Sequence, residues 1–108
     1  MKHIINIGLA VPNSSDMIDT ETALAALVDV FGSVARWCTA RSGSEDTLVA
    51  EVLVAHSHAY ALGAQLSQAL SQDCIAVYCP QRHTGALVGP SAGKWGDFKL
   101  ELLLTMAD

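Results

Sequence analysis

The sequence predicts an α+β domain in which an antiparallel sheet carries two helices on one face. Three observations predict it. Segments of helical period and segments of β character follow one another in the order β-α-β-β-α-β. The two middle β segments are separated only by residues 42–46, which open with Ser42-Gly43-Ser44, turn chemistry that joins them as a hairpin. Apolar residues make up 51% of 108 positions, with a mean hydropathy of +0.33, so one well-filled core fits the length. A chain of this size buries roughly two thirds of its unfolded surface, and the whole of residues 1–108 is expected to form a single domain.

Each element has its own signal. Residues 3–11 are apolar and carry Ile4, Ile5, Ile7 and Val11, which predicts a strand. Pro12 to Asp16 is loop chemistry. Thr20 is the expected N-cap of a first helix, with Glu21 favourable in its first turn. Leu24, Leu27, Val28 and Phe31 then fall at i, i+3, i+4 and i+7, and Gly32 stands where a C-terminal cap belongs. Residues 33–41 and 47–55 supply the hairpin, with Glu45 and Asp46 in its turn. Ser57 is the expected cap of a second helix running to about Gln72, whose apolar face is Ala59, Leu62, Leu66, Ala69 and Leu70. Residues 74–79 read as a buried strand ended by Pro80, and residues 86–89 as a short returning strand. Alternation over residues 98–106 predicts a further strand, with a helix as the alternative because Leu-rich tails also form helices. The order is that of the ferredoxin-like βαββαβ fold, two helices on one face of an antiparallel sheet, with short C-terminal β pieces added.

The 47–55 segment is apolar on both alternating sets: Leu48, Val52 and Val54 on one side, Val49 and Leu53 on the other. An open sheet face in water alternates with polar residues. The expectation is therefore that the C-terminal segment or a second copy covers the other face, and a homodimer is predicted.

Composition excludes several classes of function. The formal charge is −5 and the pI near 5.1, which argues against a nucleic-acid surface. No apolar run approaches membrane-spanning length, and the N-terminal residues lack a signal-peptide core, so a cytoplasmic protein is expected. Three cysteines, Cys38, Cys74 and Cys79, do not make a disulfide framework and read as small buried hydrophobes. No nucleotide, hydrolase or metalloprotease motif occurs, and no catalytic residue is assigned. The histidines His56 and His58, with His83 and one cysteine, could form a zinc set. Their spacing matches no structural zinc pattern, and solvated helix-start and loop histidines account for them, so neither metal nor cofactor is expected. The acids Asp16, Asp19, Glu21 and Asp29 occupy a stretch without a base and form a candidate face for a basic partner. Trp95 lies in a glycine-containing loop, where an aromatic is either a binding anchor or a plug.

The segments Asn6-Ile7-Gly8-Leu9, Glu45-Asp46-Thr47-Leu48-Val49-Ala50-Glu51-Val52, Gln72-Asp73-Cys74-Ile75-Ala76-Val77-Tyr78 and Leu87-Val88-Gly89-Pro90 with Trp95-Gly96 resemble a group of small uncharacterised proteins of bacteriophages and prophages. The tail departs from that group at Lys99-Leu100, where an Asn-Pro type stretch is common. The resemblance implies a phage or prophage origin, with no established activity and no functional residues to carry over. Size, acidity and this resemblance together predict a protein-interaction module in a bacterial host cell, an inhibitor of a host defence protein. The alternative is a small-molecule or nucleotide binder with a site at a dimer junction, lined by Arg82, His83, Lys94 and Trp95.

Overall fold

The computed structural model describes residues 1–10, 18–42, 45–71 and 75–89. In chain order the elements are β1 (Lys2–Ala10), α1 (Thr20–Phe31), β2 (Arg36–Ser42), β3 (Glu45–Leu53), α2 (His56–Ala69), β4 (Ile75–Cys79) and β5 (Thr84–Val88). The strands form one antiparallel sheet in the order β2-β3-β1-β4-β5. Of the described helices, none is long and apolar enough to cross a membrane.

Strand periodicity explains the layering. Ile5, Ile7 and Leu9 project from β1 to one face, level with Leu48, Ala50 and Val52 of β3 and Ile75 and Val77 of β4. These side chains meet Ala23 and Leu27 of α1 and Ala59 and Leu66 of α2, so both helices cover the same face. Each fully buried Ile, Leu or Val contributes about 1.5–3 kcal/mol, which makes this layer the main source of stability. The opposite face carries a smaller buried group, Ile4, Val49 and Tyr78, with Cys38, Ala40 and Ala76 against it. Of the two apolar β3 residues on this face, Val49 is fully buried within one chain and Leu53 is 64% exposed. Glu51 lies on that second face and accepts from both Lys2 Nζ at 3.2 Å and Arg36 Nε at 3.3 Å.

Several expected details shift. Asp19, not Thr20, caps α1: its Oδ1 accepts from Thr22 N–H at 2.7 Å, and Thr20 is the first helical residue. A carboxylate makes a stronger cap than a hydroxyl for the exposed N–H groups. Gly32 closes the helix with φ 89°. The buried stripe of α1 runs through Ala23 and Leu27, while Val28 is 49% exposed. Ser57 lies inside α2, whose cap position is Ala55 without a side-chain bond, and α2 ends at Ala69, short of Gln72. Glu45 and Asp46 extend β3 and pair with Ser42 and Arg41, so they are strand residues, not turn residues. The returning strand begins two residues earlier than expected, at Thr84. The expected strand at 98–106 lies outside the described residues.

Gly63 sets how closely α2 approaches the sheet. A Cβ there would stand 2.7 Å from Val77 Cγ2 and 2.9 Å from Val88 Cγ2. Valine is stiff at χ1 and cannot swing aside. Gly63→Ala is therefore expected to lower stability by about 1–3 kcal/mol through overpacking, although alanine favours an isolated helix by about 1 kcal/mol. Urea unfolding measures the sign, and a stabilised variant would contradict the close packing. The Asp19 cap gives a second expectation. Hydrogen bonds from the Thr22 backbone and side chain hold its carboxyl below the ordinary 3.8. Its contribution is then fully present above that value and is lost as pH falls through the lower folded value. Asp19→Asn should remove this part of the acid dependence while leaving a working cap, as read from thermal unfolding between pH 2 and pH 5.

Candidate metal centre

The topology brings distant residues to one end of the sheet. β1 starts there, and β3 and β4 end there. The register pairs Lys2 with Leu53 and Ile4 with Tyr78, which places His3 beside Cys79 at the end of the β1–β4 ladder. The chain leaves β3, turns at Val54 and Ala55, and begins α2 at His56. Because β4 lies on the far side of β1 from β3, α2 must cross over β1, and its first residue passes above His3.

His3 is the first inward position of β1 and is fully buried. Both of its ring nitrogens have partners. Nδ1 is 3.2 Å from the Met1 carbonyl oxygen, which can only accept, so Nδ1 carries the proton and donates. In the neutral ring Nε2 is then the lone-pair nitrogen. It lies 3.0 Å from His56 Nδ1, which donates to it. The Met1 carbonyl is itself fixed by Val54 N–H at 3.0 Å. Burial pushes the His3 imidazolium pKa below the ordinary 6.5; the Met1 carbonyl opposes this, and electrostatic repulsion from His56, the N-terminus and Arg82 adds to the lowering. His3 is thus held neutral, with the tautomer that the Met1 carbonyl implies and its lone-pair nitrogen bonded to His56.

His56 is partly buried and stacks on His3 with ring centroids 5.3 Å apart. Tyr60, one turn along α2, meets the His56 ring edge-on at 5.5 Å and donates from its hydroxyl to Thr84 Oγ1 at 3.5 Å. Cys79, fully buried, completes the group: one donor atom each from His3, His56 and Cys79 lies within 4.8 Å of the others. Metal–nitrogen bonds of about 2.0–2.1 Å and metal–sulfur bonds of about 2.3 Å place donors around one ion roughly 3.3–3.6 Å apart. The observed cluster needs only small side-chain movements to reach that spacing. The Nδ1–H of His3 bonded to a backbone carbonyl is also the outer-shell arrangement that orients a metal-ligating histidine.

Of the residues singled out from sequence, His56 and Cys79 come together, and His3 joins them. His58 and His83 are exposed and outside the group. The spacing of His56, His58 and His83 matches no zinc pattern; the fold supplies a donor 53 residues away instead. Arg82 and His83 occupy the exposed turn between β4 and β5, with His83 at φ 51°. Lys94, Trp95 and Asp16 lie outside the described residues, as does Cys74. Asp19 is engaged as a helix cap, and Glu21 and Asp29 are exposed along α1. Cys38 is half-buried on the sheet face away from the helices. No protein-family model, curated protein or solved structure matches this chain.

Proposed function

We propose that this chain is a metal-binding domain that holds one borderline or soft d-block ion at His3, His56 and Cys79. The observation that carries the reading is the convergence of two imidazoles and a thiol within 4.8 Å at one end of the sheet. Two neutral imidazoles and a thiolate suit ions such as Zn2+ or Cu+ and do not suit Mg2+ or Ca2+, which take oxygen donors. The strand order β2-β3-β1-β4, with two helices on one face, supports a ferredoxin-like reading of the fold, to which β5 adds an edge strand.

The small-molecule alternative has less behind it. A shallow depression lined by Leu9, Thr20, Thr39, Ala40 and Asp46 sits at the opposite end of the sheet from Arg82 and His83. An interaction surface has less support as well: Trp37 and Leu53 are exposed, but Trp37 shares the face of Ala50 and Leu53 that of Val49, so they do not make one patch.

The test is equilibrium dialysis of the reduced protein against micromolar Zn2+, followed by elemental analysis. One ion per chain is expected. His3→Ala, His56→Ala and Cys79→Ser should each weaken retention by at least tenfold, since each removes one of three donors. His58→Ala and His83→Ala should leave it unchanged. Binding should also raise the melting temperature, because a ligand held at 100 times its Kd contributes about 2.7 kcal/mol. Retention that survives Cys79→Ser, or no retention by the parent protein, would overturn the reading.

A further inference from the structure

We infer that the ion this centre is built for is monovalent copper, with the Met1 thioether as a fourth donor beside His3, His56 and Cys79. The inference rests on the metal-binding reading above and narrows it to one ion.

The first support is the donor set. Cys79 Sγ lies 3.5 Å from Met1 Sδ, so the thioether stands against the donor cluster. Met1 is not placed there by its side chain alone. Its carbonyl accepts from both Val54 N–H and His3 Nδ1–H, which fixes the backbone from which the thioether projects. Thiolate and thioether ligands select Cu+ by softness. Zinc centres draw on Cys, His, Asp and Glu, and a thioether adds little to them.

The second support is charge. Two neutral imidazoles, a thioether and one thiolate sum to −1. Cu+ makes the loaded centre neutral, while Zn2+ leaves it at +1. His3 and Cys79 are fully buried while Met1 is 44% exposed, and an uncompensated charge at the buried end of the set is costly. No described carboxylate joins the cluster to offset it. Glu51 belongs to the other face of the sheet, held by Lys2 and Arg36.

The experiment compares the two ions on the whole reduced chain. Cu+ is supplied anaerobically from a bicinchoninate complex and Zn2+ from a buffered chelator, and the chain carries methyl-13C methionine. It contains three methionines, Met1, Met17 and Met106, assigned with Met17→Leu and Met106→Leu. The expected result is one Cu+ per chain, held about a thousandfold more tightly than Zn2+. The Met1 methyl signal should shift on loading, the other two should stay, and Cys79→Ser should abolish binding although Cys38 and Cys74 remain. Equal affinity for Zn2+, or a Met1 signal that does not respond, would overturn the copper assignment and leave the metal-binding reading standing. Cu+ binding that persists in Cys79→Ser would place the ion on another thiol and overturn it too. Failure to hold either ion would remove both readings.

Discussion

The crossover of α2 above β1 is the constraint on which the rest of the structure depends. β1 lies at the centre of the sheet between β3 and β4, so the chain leaving β3 can reach β4 only by passing over β1. Gly63 allows that passage to be close, because its missing side chain makes room for Val77 and Val88. The same passage fixes His56 at the start of α2 against the start of β1. Closeness of helix to sheet and approach of the two histidines are thus one geometric fact. A change that lifts α2 from the sheet would loosen the core and open the His3–His56 contact together.

A histidine at the first inward position of a central strand needs an explanation, since the following inward positions are Ile5, Ile7 and Leu9. Burying an imidazole without partners costs on the order of 1–3 kcal/mol. Here both ring nitrogens are satisfied, one by a carbonyl and one by a second histidine. The second bond is also a reserved place for an ion. When the ion binds, the proton on His56 Nδ1 must move to Nε2, leaving that ring neutral, and the Cys79 thiol must lose its own, so loading releases one proton. The His3 tautomer needs no change, because the Met1 carbonyl already holds its proton on the far nitrogen. Tyr60 steadies the His56 ring from the side and ties it through Thr84 to β5.

Local chemistry made much of the fold legible. Gly32 as a helix terminator, the antiparallel pairing of β2 with β3 and the order of helices and strands all follow from residues close together in sequence. Details decided by competing local groups were harder. Asp19 and Thr20 are adjacent and both can cap, and only the backbone path decides between them. Val28 fits the apolar period of α1, yet the helix is turned so that Ala23 and Leu27 face the sheet. The centre was the least legible part. Alternation along β1 tells which face His3 shares with Ile5, but not that His56 passes above it. Cys79 lies 76 positions from His3 in sequence, and only the register of β4 on β1 makes them neighbours. Three donors from three elements carry no spacing motif.

The alternation of β1 also sorts charge between the two faces. Lys2 and His3 are adjacent and therefore point to opposite sides of the sheet. Lys2 joins Arg36 on Glu51 on one side, and His3 joins His56 and Cys79 on the other. A one-residue slip of β1 would exchange these environments, burying a lysine among neutral donors and moving a histidine to the ion-paired face. The ion pair on the outer face and the nitrogen–sulfur cluster on the inner face therefore both oppose the slip. The carboxylate stays with its cations, and the described donors that meet on the inner side are imidazole nitrogen and sulfur. Register thus sets the chemical character of the centre: the strand pairing that stabilises the sheet also keeps oxygen ligands out of the cluster.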